Sequence, residues 1–139
     1  MERCKIIIDT NLWISLLIGK RLAEMRALCN SATITVYFCE ELMAEFANIA
    51  NSKKIRKYVT AERIEETMNL IRSSCVNILI MNTLVLPELR DAKDLYLLSL
   101  ANATQADYIL TGDKDLLVLQ SYNHTKIVTY NEFKVFVAK

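Results

Sequence analysis

The sequence predicts an α/β chain: a mainly parallel sheet of four or five strands with helices on both faces. Short runs of branched apolar residues alternate with stretches of helical spacing, and strands separated by helices are joined by right-handed crossovers. At 53% hydrophobic residues and a mean hydropathy of +0.18, the chain is apolar enough for a sheet buried on both sides. Its 139 residues suit one domain, residues 1–139, with room for a substantial core. Two glycines and one proline leave no flexible linker, and there is no repeat.

Lys5 to Ile8 is the first strand, three branched apolar residues running into Asp9. Thr10 and Asn11 then favour a turn or a helix N-cap. Asn11 to Ile18 reads as a helix ending near Gly19, and Arg21 to Cys29 as another. Thr35 to Phe38 is β-branched or aromatic throughout, a second strand. Glu40 to Ala50 is a helix with Leu42, Phe46 and Ile49 on one side and two acids in its first turn. Ser52 to Tyr58 is a basic segment of helical character. Thr60 to Ser73 has Ile64, Met68 and Ile71 at helical spacing, but Thr60-x-x-Arg63 is no capping box, which leaves its start open. Val76 to Ile80 is a third strand, and Pro87 ends a loop. Asp91 to Thr104 is a largely apolar helix, Asp107 to Leu110 a fourth strand, and Asp113 to Leu119 a short helix. Lys126 to Thr129 is a fifth strand, and Asn131 caps a last helix to Val137.

Composition narrows the function. Seventeen basic against sixteen acidic side chains give a net charge of +1, so any nucleic-acid binding must come from a local patch. Cys4, Cys29, Cys39 and Cys75 have no C-x-x-C spacing and read as small core residues in a reducing cytosol. The N-terminus has no signal-peptide layout. The longest uncharged run, Ser73 to Pro87, is too short and too polar to span a bilayer. A soluble, cytoplasmic protein without membrane contact is expected. The one histidine, His124, lies in a polar loop, which disfavours Ser-His-Asp and Cys-His systems. Neither Gly19 nor Gly112 has the partner glycine of a phosphate-binding loop.

What remains is carboxylates in telling places. Asp9 ends the first strand, although it could simply close the turn through nearby amides. Glu45 lies at the margin of an apolar helix face, where a surface lysine could pair with it. Asp91 and Asp94 open the apolar helix as an N-cap and third residue would. Asp113 follows the fourth strand and could cap the short helix behind it. Yet Asp9, Asp94 and Asp113 all fall at the carboxyl-end loops of a parallel sheet, or on helices those loops open, and such loops share one edge. Two carboxylates about 5 Å apart repel by roughly 3 kcal/mol at an effective dielectric of 20. Protons or a cation must neutralise such a cluster. Oxygen-rich sites without His or Cys suit Mg²⁺ or Mn²⁺, ions that commonly serve phosphate chemistry.

Four blocks in order, Ile6 to Trp13, Glu41 to Phe46, Asp91 to Asp94 and Ala106 to Leu116, with Ile127 to Phe133 behind them, resemble the PIN-domain family of metal-dependent ribonucleases. More narrowly, the chain resembles bacterial PIN proteins described as toxins of toxin–antitoxin systems. The resemblance implies that Asp9, Glu45, Asp94 and Asp113 are the catalytic, metal-holding acids. Asn11 and Thr111 would orient them, and Asp91 and Asp115 would be accessory. It implies Mg²⁺ or Mn²⁺ as cofactor and hydrolysis of an RNA phosphodiester by an endoribonuclease, with the metal polarising the phosphate and activating a water. The RNA would enter as a single strand. Lys53, Lys54, Arg56 and Lys57 would bind it, with Lys20, Arg21 and Arg26 as a second patch; either patch could equally be a solvated face. A cognate antitoxin is the expected partner, and the apolar run Asn11 to Ile18 is expected to pair with a second copy or to lie under that antitoxin.

Rival readings fit less well. A phosphoacceptor domain needs a lysine at the end of its last strand, where this chain has Lys126 at the start. A haloacid-dehalogenase-like hydrolase needs D-x-D where this chain has Asp9-Thr10-Asn11. The alternatives kept beside the toxin are a PIN-fold RNA-processing enzyme and a non-catalytic binding or assembly module.

Overall fold

The computed structural model describes residues 3–80 and 92–138. Among them six strands form one sheet in the order β3-β2-β1-β4-β6-β5. At its centre is β1 (Cys4–Ile8), with β2 (Ile34–Phe38) on one side and β4 (Tyr108–Leu110) on the other, both parallel to it. Ile6 pairs with Val36 and Tyr108, and Ile7 with Tyr37 and Ile109. Because side chains alternate along a strand, Ile6 and Ile8 face one layer and Ile7 the other. All three are fully buried, so both faces of the sheet are covered.

β6 (Thr125–Val128) continues the sheet in parallel beside β4, and β3 (Val76–Asn77) lies parallel to β2. The third strand is shorter than the apolar run Val76 to Ile80 suggests. Ile78 N–H still bonds to the Phe38 carbonyl at 2.8 Å, but Leu79 is 79% exposed, so the chain leaves the sheet there. The sequence also hides a sixth strand. β5 (Ser121–Tyr122) pairs antiparallel with β6 through a turn at Asn123 and His124. Asn123 has φ 53°, a left-handed conformation that Asn tolerates better than most residues.

The helices follow the apolar periodicity. They are α1 (Thr10–Ile18), α2 (Leu22–Cys29), α3 (Glu40–Ala50), the short α4 (Lys53–Arg56), α5 (Ala61–Ser74), α6 (Ala92–Thr104), the short α7 (Lys114–Leu117) and α8 (Tyr130–Ala138). Trp13, Phe46, Leu97 and Phe133, from four of them, are fully buried or nearly so. The run Asn11 to Ile18, expected at a contact with a second copy or an antitoxin, is instead mostly core, with Trp13, Ile14, Leu16 and Leu17 buried. Exposed apolar surface lies elsewhere, at Val135, Phe136 and Val137 on α8. Proline 87 and the loop assigned to it lie outside the described residues.

Of two helix starts, one left open by the sequence is now placed and one is corrected. Thr60 does cap α5, its hydroxyl accepting from the Arg63 N–H at 3.2 Å, so half of a capping box is enough. Asn131 does not cap α8. Thr129 accepts from the Glu132 N–H at 3.1 Å, and Glu132 reaches back to the Thr129 N–H at 3.0 Å, a complete capping box. Thr129→Ala is expected to lower stability by about 1 kcal/mol. Urea unfolding checks this, and an unchanged midpoint would mean that the box contributes nothing.

The four cysteines are free, with Cys29, Cys39 and Cys75 buried and Cys4 partly so. Cys29 and Cys75 sulfurs lie 3.5 Å apart. A hydrogen bond to Cys29 and burial push the Cys75 thiol up, and burial pushes Cys39 up to about 12. The hydrogen bond with Cys75 shifts the Cys29 thiol down instead, so access to solvent, not protonation, sets the order of reaction. A water-soluble thiol reagent is therefore expected to reach Cys4 first, and the other three only once denaturant is added. Fast native reaction at Cys39 would contradict the packing.

Candidate functional site

Ile8 pairs with Leu110, so the residues leaving β1 and β4 at their carboxyl ends are neighbours. Asp9 and Thr111 are both buried there. Thr111 Oγ1 donates to Asp9 Oδ2 at 2.7 Å and accepts from the Asp113 N–H at 3.0 Å. One hydroxyl thus ties the acid after β1 to the turn that carries the acid after β4. The Asp9 carbonyl accepts from the N–H groups of Leu12 and Trp13 at 3.0 and 3.2 Å, so the backbone starts α1 unaided. The Asp9 side chain makes no capping hydrogen bond to that helix. Asp113 does cap: its Oδ1 accepts from the Asp115 N–H at 2.9 Å at the start of α7.

A second group stands beside the first. Glu45, half-buried on α3, accepts at Oε2 from the Tyr96 hydroxyl of α6 at 2.5 Å. The same hydroxyl lies 3.4 Å from Thr10 Oγ1, and Thr10 follows Asp9 directly. Burial and the Glu45 carboxylate push the Tyr96 phenol above its ordinary value, so it stays protonated and donating at neutral pH. Asp94 is buried in the first turn of α6, where the helix dipole favours negative charge, two residues before Tyr96.

The structure therefore gathers Asp9, Thr111 and Asp113 by hydrogen bonds and sets Glu45 beside Thr10 through Tyr96. It places Asp94 on the helix that carries Tyr96. Asn11 and Asp115 are exposed; with Ser15, Asp113 and Lys114 they line an open cleft of about 600 Å³ between α1 and the turn before α7. Glu45 and Asp94 are not among its lining residues. Asp91 lies outside the described residues. Among the described residues, no three His, Cys, Asp or Glu side chains are already gathered into a metal cage. The donor chemistry nonetheless fits a hard divalent ion, since every candidate ligand is a carboxylate oxygen, and two of the four carboxylates are buried.

His124 stands at the opposite, amino-end edge of the sheet, its Nε2 3.0 Å from Asp107 Oδ1. Lys53, Lys54, Arg56 and Lys57 are all exposed on α4 and just after it. In the second patch, Arg21 pairs with Glu24 at 2.5 Å and Arg26 with Glu66 at 3.1 Å, so those two cations are partly neutralised locally. Tyr96 is the site residue that sequence reading missed. In the stretch Leu95-Tyr96-Leu97-Leu98 it looks like core. The available signal was its polar tip, since a phenol in an apolar helix needs a hydrogen-bond partner.

A protein-family model described as PIN domain matches residues 5–115. The chain is 30% identical over 142 residues to an uncharacterized protein of Methanocaldococcus jannaschii, covering 94% of this chain and 90% of that one. Among the described residues, no helix is long and apolar enough to cross a membrane.

Proposed function

The chain belongs to the PIN-domain family, and on that premise we propose that it is a metal-dependent endoribonuclease whose site is Asp9, Glu45, Asp94 and Asp113. Family membership supports a nuclease that works with divalent metal. The observation that carries the choice of residues is the Thr111 hydroxyl, which joins Asp9 to the Asp113 turn across the sheet edge. Those four acids would hold Mg²⁺ or Mn²⁺, which when bound supplies Lewis-acid activation of a phosphate and of the attacking water.

The chain's own residues do the rest. Thr111 fixes the rotamer of Asp9, Asn11 and Asp115 border the cleft where a phosphate would lie, and Asp91 is an accessory acid. Lys53, Lys54, Arg56 and Lys57 offer an exposed cationic surface for the backbone of single-stranded RNA. The likeness to bacterial toxins extends this reading to a cytoplasmic toxin with an antitoxin partner, acting as one domain over residues 1–139. The exposed Val135, Phe136 and Val137 favour a further contact, with the antitoxin or a second copy.

The test is cleavage of a labelled single-stranded RNA, a duplex RNA and a single-stranded DNA in Mn²⁺, in Mg²⁺ and in excess EDTA. Cleavage of the single-stranded RNA alone, abolished by EDTA, is the expected result. Cutting that survives EDTA, or none with any substrate, would reject the proposal. Replacing Lys53, Lys54, Arg56 and Lys57 by Ala should weaken RNA binding and flatten its salt dependence.

A further inference from the structure

Tyr58 is 63% exposed in the short connection between α4 and α5, yet its backbone is fixed. Its N–H bonds to the Ile55 carbonyl at 2.8 Å, and the Val59 N–H bonds to the same carbonyl at 3.2 Å. Thr60 then caps α5. The ring therefore stands out from a turn that is held in place. Phe136, also exposed, stacks on Tyr108. Among the described residues Tyr58 has no such ring partner.

Around that ring the fold joins what the sequence keeps apart. A cavity of about 210 Å³ is lined by Leu17, Lys20, Tyr58, Val59, Thr60 and Arg63. Leu17 and Val59, both buried, are its apolar walls. Lys20, just past the end of α1, is brought beside the turn that follows the cationic run Lys53 to Lys57. It has φ 57°, a left-handed conformation uncommon outside glycine. Lys20 and Arg63 are exposed, and among the described residues neither has an acidic partner. Among the described residues no carboxylate lines the cavity. Glu62, exposed in the first turn of α5, is not one of its walls.

An exposed ring flanked by cations matches the chemistry of a single nucleic-acid strand. Its bases stack on an aromatic ring whatever the sequence, and its phosphates pair with Lys and Arg. Resting on the function proposed above, we propose that Tyr58 is a base-stacking platform for single-stranded RNA, with Lys20 and Arg63 holding the phosphates beside the stacked base. α1 connects the two places: Asn11 borders the cleft at its start, and Leu17 lines this cavity near its end. They are about 9 Å apart along the helix axis and the width of one helix, about 10 Å, around it. A few extended nucleotides span that distance.

The test is fluorescence anisotropy of labelled single-stranded RNA, intact and abasic at equal length, in excess EDTA so that nothing is cut. Tyr58→Ala, Tyr58→Phe and the pair Lys20→Ala with Arg63→Ala are compared with wild type, each with a melting curve. Tyr58 is exposed, so Ala there should leave folding intact. Wild type should bind the intact strand about 5–150-fold more tightly than the abasic one, the usual effect of one aromatic stacking partner. Tyr58→Ala should lose that advantage and bind both strands alike, while Tyr58→Phe, which keeps the ring, retains it. The Lys20 and Arg63 pair should weaken both strands equally and flatten the salt dependence by about 0.7 per lost contact. Equal wild-type affinity for the two strands, or an advantage that survives in Tyr58→Ala, would overturn the platform even where the chain cuts RNA. Tyr58-dependent binding by a protein that cuts nothing in Mn²⁺ would overturn the nuclease reading alone. A wild-type protein that binds no RNA would overturn both.

Discussion

Asp9→Asn is expected to abolish metal-dependent RNA cleavage while the chain stays folded. Asn has nearly the shape of Asp and keeps one carbonyl oxygen able to accept from Thr111 Oγ1, which now donates to Asp9 Oδ2 at 2.7 Å. The start of α1 needs no side-chain cap from this position, so the swap leaves that helix alone. What is lost is one negative charge, fully buried at the sheet edge, and one oxygen that would ligate the metal. Loss of a residue behind a metal ligand typically costs 10–100-fold, so loss of a ligand should cost at least about 100-fold. Relief of repulsion among the acids would leave the melting temperature of the metal-free protein level or raise it. Single-turnover cleavage in Mn²⁺ and a melting curve on one preparation decide the matter. Undiminished activity in the folded variant rejects Asp9 as an essential ligand, and the same result at Asp94 and Asp113 rejects the site.

The largest stability effect is expected at Phe46→Ala. Phe46 is fully buried on α3, beside Glu45 in sequence. Truncating a buried Phe to Ala removes its transfer free energy and leaves a cavity, costing about 3–5 kcal/mol. Domains of this kind have only about 5–15 kcal/mol in total, so the urea midpoint should fall by a large fraction. Activity at low temperature should fall too, because α3 carries Glu45. As a control, Val118, which is 75% exposed, should tolerate Ala within about 0.5 kcal/mol. A loss below 1 kcal/mol at Phe46 would mean that the site collapses far more readily than close-packed cores do.

How much was legible in the sequence depended on whether a pattern was long enough to repeat. The α3 bounds, Glu40–Ala50, follow from its apolar spacing and acidic first turn. β1 is visible as three branched residues in a row. β5 was missed because two residues cannot show a period, and it exists only through its pairing with β6. The overlong third strand has the opposite cause, apolar residues that read as strand but are not paired beyond Asn77. The α8 cap was legible and overlooked, as Thr129-x-x-Glu132 spells a capping box. Within the site, Asp9 and Asp113 were readable from topology alone, because strand ends in a parallel sheet must be neighbours. Thr111 entered as an orienting residue through the family resemblance alone, and its hydrogen bonds to Asp9 and the Asp113 N–H needed the folded turn to be seen. Tyr96 was not readable, since its partners lie 51 and 86 residues away.

The pairing of β1 with β4 also sets an order of events during synthesis. Asp9 and Thr111 are 102 residues apart in the chain, which at about 5–20 residues per second is roughly 5–20 s of translation. Throughout that interval the nascent chain carries Asp9 without the strand beside which it will sit, and one long edge of β1 is unsheathed. Long-range parallel pairing of this kind folds slowly and leaves sticky edges open to other chains. A ribosome that stalls before Tyr108 releases a product with the first acid but no floor for the cleft. Whatever the assembled edge does, it can do only after β4 has been made and has paired with β1.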